Sequence, residues 1–328
     1  MFLMRFDMRA PDWGAPAPEL YATALEMAEW SESRGALAAV VCEHHGVSDG
    51  YLPSPLILAT AMAARTTTLP ITVAVVVLPL YQPVRLAEDM AVLDIISRGR
   101  VSYVAAIGYV PAEYEQHGVD FHRRGRIAEE SLELLLKAKS GEPFDQEGRH
   151  IHVTPQPVTP GGPQIAWGGG SAPAAARAGR FGLNFMAQGG DPSLAEVYED
   201  AARSNGHQPG FCMIPPLDTA TTVFVAEDVD RAWDELGRHI LHDVTSYASI
   251  NVGRHSFTAS ISEAKTIDEL RSEDRTHRII TVEEAVETVR SGMPLALHPL
   301  IGGLAPEVAW RYFRTVTETV MPAVTGAT

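Results

Sequence analysis

The sequence predicts an α/β fold, a single (β/α)8 barrel over residues 1–328 with a long loop inserted before the last strand. Three observations carry that prediction. Ile71 to Leu78 is a nearly unbroken β-branched and apolar run, the pattern of a strand covered on both faces, as in a parallel sheet wrapped by helices. A helix signal follows it at once and then a new apolar run, Val101 to Ile107, which together make a βαβ unit. Strand and helix signals keep alternating to the end of the chain with no shift in composition between its halves, which favours one closed barrel over a doubly wound sheet.

The elements follow in order. Phe2 to Asp7 reads as a first strand, and the proline-rich Arg9 to Pro18 as the loop after it. Leu20, Ala24, Met27 and Ala28 recur at helical spacing up to Gly35, a stop signal. Leu37 to Cys42 is a second buried strand, ending in Glu43-His44-His45, and a helix is expected from Ser54 to Arg65. After the central strand, Gln82-Pro83 places a proline at the first helical position. Val84, Ala87, Ala91 and Ile95 mark one face of that helix and Ser97-Arg98-Gly99 its end. A helix carrying Ile127, Leu134, Leu135 and Ala138 follows the fourth strand. Residues 141–163, rich in Pro, Gly, His and Thr, read as a hairpin-like excursion. Gln164 to Trp167 then runs into Gly168-Gly169-Gly170-Ser171 and an Ala-rich helix. Short strands at Asn184 to Met186 and Thr219 to Ala226 lead to a helix through Trp233 and Ile240. Residues 243–280 rise in polarity without a period, which predicts a long mobile loop or lid. Thr281-Val282-Glu283-Glu284 reads as a capping box, Leu295 to His298 as the last strand, and Val308, Tyr312, Val316 and Val320 as the face of a closing helix.

Composition narrows the function. A formal net charge of -15, from 26 Lys+Arg against 41 Asp+Glu, would repel a phosphate backbone. Nucleic acid is therefore not an expected partner. Cys42 and Cys212 are the two cysteines, no charged-then-apolar leader is evident, and no apolar run approaches the roughly 20 residues that span a bilayer. A soluble cytoplasmic protein is expected.

Two stretches could carry chemistry. Gly168-Gly169-Gly170-Ser171 sits where a strand hands over to a helix, so bare backbone N–H groups, the serine hydroxyl and the positive helix end could all meet a phosphate. Pro173 spoils the GxGxxG spacing and there is no GxxxxGK[ST] motif, which disfavours a Rossmann dinucleotide or a nucleoside triphosphate. The plain alternative is a tight turn with a serine cap. Glu43-His44-His45 ends a strand that points to the functional face of a barrel, where a histidine can exchange a proton near neutral pH. Adjacent strand residues face opposite ways, so His44 and His45 do not suit one shared ion, and no metal site is expected. A structural histidine pair is the alternative. Arg126, on the helix after the fourth strand, could complete an anion site or simply be solvated. Cys42 reads as a small buried neighbour of the histidines.

Taken together, EHHGVSDGYLPSPL, VAVVVLPLYQPVRLAEDMAVLDIISRGR, GYVPAEYEQHGVDFHRRGR, IAWGGGS and LHPLIGGLAPEVAW resemble the bacterial luciferase-like flavin monooxygenases. The segments cover nearly the whole chain. The resemblance implies a TIM barrel that uses reduced flavin mononucleotide (FMN), delivered by a separate flavin reductase, to activate dioxygen in a homodimer. It implies His44 as the catalytic histidine, Arg126 and Ser171 at phosphate-binding positions, the backbone of Gly169 and Gly170 as the phosphate loop, and a non-proline cis peptide between Ala74 and Val75 beside the flavin ring. Tyr109 and His298, at the ends of the fourth and last strands, are then expected to line a pocket for a hydrophobic small molecule. One departure concerns Ala106-Ile107-Gly108, where many relatives carry a glycine-rich or arginine-bearing turn, so Ile107 offers a phosphate no ion pair. The alternatives are an enzyme of the same superfamily using the deazaflavin F420 for hydride transfer, and a barrel that binds a ligand without catalysis.

Overall fold

The computed structural model describes residues 1–187, 189–216, 219–250 and 262–326. Its strands, in chain order, are β1 (Phe2–Phe6), β2 (Ala36–Val41), β3 (Ile71–Val77), β4 (Val101–Ala106), β5 (Phe144–Gln146), β6 (Arg149–Ile151), β7 (Gln164–Gly169), β8 (Asn184–Ala187), β9 (Cys212–Met213), β10 (Thr222–Val225), β11 (His277–Ile280) and β12 (Leu295–Leu297). Contacts group the chain into two compact units. The first comprises Met1–Val40, Val47–Leu52 and Pro215–Thr328, the second Val41–Gly46 and Pro53–Ile214.

In the second unit β3, β4, β7, β8 and β9 pair in that order, all parallel. The register sets Val77 opposite Ala106, and Ala105 opposite Trp167, so the C-terminal ends of β3, β4 and β7 lie side by side. Local chemistry explains the crossovers. The helix Pro83–Ser97 opens with Pro83 at its first position while the Gln82 side chain accepts the Arg85 N–H at 2.6 Å, and it closes with Arg98 at φ 57 and Gly99 at φ 78. Its buried face is Leu86, Ala87, Met90, Ala91, Leu93, Asp94 and Ser97. Ile95, expected inside, is 36% exposed. Asp94 takes the inner place because its carboxylate accepts both the backbone N–H and the hydroxyl of Thr159. The excursion at 141–163 carries the antiparallel pair β5–β6.

In the first unit β1 pairs with β12, β12 with β10 and β10 with β11, again parallel. The helix expected to fade after Ile240 runs from Val229 to Ile250. Within the stretch expected as a loop, a helix also spans Ile267–Glu273 behind a Thr266/Glu269 capping box, and His277–Ile280 is a sheet strand. Residues 251–261 of the expected lid lie outside the described residues. Periodicity misses the second half of Val229–Ile250 because Asp243, a charged residue, occupies its buried face. The second capping box forms as the sequence predicts, with Thr281 and Glu284 capping each other's backbone at the head of Val282–Arg290. Among the described residues, no helix is long and apolar enough to cross a membrane.

Candidate active site

The second unit carries the two histidines that leave β2. Each takes its own carboxylate: His44 Nδ1 lies 2.7 Å from Glu113 Oε1, and His45 Nε2 lies 2.7 Å from Glu43 Oε1. A carboxylate only accepts, so the His44 proton is assigned to Nδ1 and Nε2 is left facing the Tyr109 hydroxyl at 3.3 Å. The two rings meet edge to face, 77° apart in plane. Glu113 Oε1 also accepts the backbone N–H of His45 at 3.0 Å. Glu113 itself is 1% exposed, in the first turn of a helix spanning Pro111–Gln116. The sequence reading missed it; the signal was Pro111, which fixes the first helical position directly after the β4 turn. That turn is tight, since Gly108 holds φ +66 and a Cβ there would sit 2.7 Å from Val77 Cγ1.

Glu43 is buried, and its second oxygen accepts the Val77 N–H at 3.1 Å. Burial pushes its pKa up, against the hydrogen bonds from His45, Val77 and Tyr81. Burial pulls on His45 in the other direction, towards the neutral ring. The hydrogen bond to Glu43 and the charges of Glu43 and Glu113 outweigh that pull, so the His45 pKa is raised.

The peptide between Ala74 and Val75 is cis, at the bond expected, and the β3–β4 register shifts between Ala74 and Val76. The glycine turn lies against this strand. A Cβ on Gly168 would come within 3.0 Å of Val104 Cγ1 and 3.5 Å of Val75 Cγ1, and one on Gly169, at φ +145, within 2.6 Å of Ala174 Cβ. After Gly170, Ser171 caps the helix Ala172–Arg180 with an extended backbone but makes no side-chain cap bond, so its hydroxyl stands at the positive helix end. Arg126 is exposed, its Nε donating to Glu130 Oε1 at 2.7 Å. A second arginine missed by the sequence reading, Arg177, is buried on the Ala172–Arg180 helix; it donates to Glu129 at 2.9 Å with its guanidinium 5.4 Å from the Trp167 ring centre.

Residues 2–293 match the sequence model of the luciferase-like monooxygenases. The chain belongs to that family. Among curated relatives, limonene 1,2-monooxygenase of Rhodococcus erythropolis is 28% identical over 201 residues, which cover 56% of this chain and 50% of the relative. The chain spans about half the length, or less, of the curated relatives it matches. Among solved structures, monooxygenase RslO1 from Streptomyces bottropensis superposes with a TM-score of 0.77 at 20% identity, over 98% of this chain and 99% of that one. The oxygenating constituent of 3,6-diketocamphane monooxygenase from Pseudomonas putida, solved with FMN, gives 0.68 at 18% identity over 98% of both chains. The fold is therefore the parallel α/β barrel of luciferase-like proteins that the sequence predicts.

The first unit of this luciferase-like chain holds a different polar cluster, and it claims His298. Expected to line a pocket, His298 is 1% exposed, receives Arg5 Nη2 on Nδ1 at 2.8 Å and turns Nε2 to Asp7 Oδ1 at 3.2 Å. Arg9 donates to Asp49 at 2.5 Å with its guanidinium 4.7 Å from the Tyr51 ring centre. Asp243 accepts from Arg5 at 3.0 Å and His277 Nε2 lies 3.1 Å from the same oxygen. Asp7, Asp243 and His298 bring ligand atoms within 4.8 Å of one another. Arg9 Nε stands 3.5 Å from Asp7 and 3.9 Å from Asp243, so both carboxylates already face a fixed positive charge that would repel a cation. Burial would raise the Asp243 pKa; the Arg5 charge and the hydrogen bond and charges of His277 and His298 hold it well below the usual carboxylate range.

Proposed function

We propose that this chain is a flavin-dependent oxidoreductase, a monooxygenase that uses reduced FMN and dioxygen on a hydrophobic small molecule. The observation that carries the reading is His44, fixed at Nδ1 by a buried carboxylate and offering Nε2 at the C-terminal end of a parallel sheet. The FMN bound in one fold neighbour and the monooxygenase names of the relatives support it.

The residues present fit such a cofactor. Gly168 and Gly169 let the turn pack directly on Val75, Val104 and Ala174, where a side chain would clash, and this close packing sets the Ser171 hydroxyl and the helix end in place for a phosphate. Gly169, Gly170 and Ser171 would hold that phosphate with Arg126, which would exchange Glu130 for it, and Ala74 and Val75 would support the ring. Bound there, reduced FMN supplies the electrons that activate dioxygen. His44 takes a proton at Nε2 and returns it, Glu113 keeps the ring in one tautomer, and the Tyr109 hydroxyl positions Nε2 and lines the substrate pocket.

A separate cytoplasmic reductase would provide the reduced flavin. Ile57, Val92, Ile95 and Ile96, exposed on the helices Pro55–Arg65 and Pro83–Ser97, would be covered in a homodimer. Titration with oxidised FMN, reduced FMN and F420, read by absorbance and fluorescence, followed by oxygen uptake, tests the proposal. Reduced FMN should bind and consume oxygen. Binding of F420 alone, with no oxygen uptake, would replace the reading with hydride transfer, and binding of none of the three would leave a ligand-binding barrel.

A further inference from the structure

Glu43 has no part in the proton exchange assigned to His44, yet its carboxylate is completely enclosed. Three donors converge on it: His45 at Oε1, the Val77 N–H at Oε2, and the Tyr81 hydroxyl. They arrive from two segments, the exit of β2 and the stretch from the end of β3 through the turn Leu78–Leu80. Folding His45 back onto Glu43 leaves its backbone N–H directed at Glu113 Oε1, the same oxygen that receives His44 Nδ1–H.

We propose that Glu43 is the positioning residue of this site, holding His45 and the end of β3 so that Glu113 and His44 stay in register. The inference rests on the oxidoreductase reading for its effect on turnover, but the geometry it describes exists without a flavin. The groups facing His45 are Glu43, Glu113 and the His117 ring, whose centre lies 4.5 Å away. Of these, Glu43 is in direct contact with the His45 ring nitrogen and Glu113 with the His45 backbone. Removing the Glu43 charge while keeping its shape therefore weakens the His45, Val77 and Tyr81 contacts together and leaves the Glu113 contact to the His45 backbone as the remaining anchor.

The experiment uses the whole chain carrying Glu43→Gln and, separately, Glu43→Ala. Imidazole signals are followed by NMR against pH, with His45→Gln and His44→Gln variants for assignment, and oxidation of reduced FMN is followed across the same pH range. In Glu43→Gln the His45 midpoint should fall by roughly one pH unit or more, since an opposite charge at hydrogen-bond distance is lost. The His44 Nδ1 proton signal should shift, and the rate of reduced-FMN oxidation should drop about tenfold, an effect of roughly 1.4 kcal/mol on the barrier, with its pH profile displaced. Glu43→Ala should lose more of both. A variant Glu43→Gln with unchanged His44 and His45 signals overturns the positioning role, and so does one whose signals move while the oxidation rate and its pH profile stay at the wild-type values. Should the wild-type chain oxidise no reduced FMN, the oxidoreductase reading fails by itself and the NMR signals still decide whether Glu43 sets His44.

Discussion

The two units each gather histidines and carboxylates into a buried hydrogen-bonded cluster, and the clusters differ in their exposure to solvent. In the first unit Asp7, Arg9, Asp243, His277 and His298 are each about 1% exposed or less, and three aspartates are matched by two arginines within the cluster. In the second unit the carboxylates of Glu43 and Glu113 are buried as well, but Tyr109 and His45 retain contact with solvent. What marks the second cluster is a histidine with Nδ1 held by the Glu113 carboxylate and Nε2 facing the Tyr109 hydroxyl.

That contrast can be broken from either side. The largest effect on activity is expected for His44→Ala, which should lower turnover of reduced FMN by about 10²–10⁴-fold while leaving its binding within a few-fold. Turnover and a binding isotherm on the same preparation check it, and unchanged turnover removes the catalytic role. The first cluster should respond in stability instead. Arg9→Met leaves Asp7, Asp49 and Asp243 short of a buried counter-charge, so unfolding in urea should report a loss of about 3–5 kcal/mol. A loss under about 1 kcal/mol would mean that the cluster contributes nothing specific.

The pH response should divide the units in sign as well. Asp7 and Asp243 have pKa values held below the ordinary carboxylate value. Their contribution to stability is complete above about pH 4, the unfolded value, and disappears as pH falls through the lower folded value. His45 is shifted up, so its contribution is complete below about pH 6.5 and is lost as pH rises through the folded value. Urea midpoints measured from pH 3 to 9 should therefore show an acid loss reduced by Asp243→Asn, with Asp7 supplying the remainder, in a variant that is itself less stable at neutral pH, and a shallower alkaline loss removed by His45→Gln. An alkaline loss that survives His45→Gln assigns it to another group.

How much of this was legible in the sequence follows from how far each interaction reaches. Gln82-Pro83, Thr281 to Glu284 and the β-branched run of β3 act within a few residues, and each formed where the sequence placed it. The partner of His44 lies 69 residues away and that of His242 lies 193 residues away, at Asp49, so no local pattern announces Glu113 or the first-unit cluster. Long-range ion pairs also hide structure. Asp243 and His277 are buried polar residues on a helix and a strand, and at those positions the apolar period that reveals such elements is interrupted.

The smallest expected effects concern the phosphate end of the site, and they separate a built contact from an incidental one. The Ser171 hydroxyl stands at a helix end with no internal cap bond, so Ser171→Ala should weaken FMN by about tenfold, the worth of one hydrogen bond to a charged group. Arg126 starts from a different position, exposed and already paired with Glu130. An exchange of one solvated partner for another gains about 0–1 kcal/mol, so Arg126→Ala should weaken FMN by no more than about fivefold, and less at high salt as screening removes the difference. Isotherms at low and high salt distinguish the cases: a loss that is small and salt-sensitive fits an arginine recruited from the surface, whereas no loss at either salt takes Arg126 out of the phosphate site.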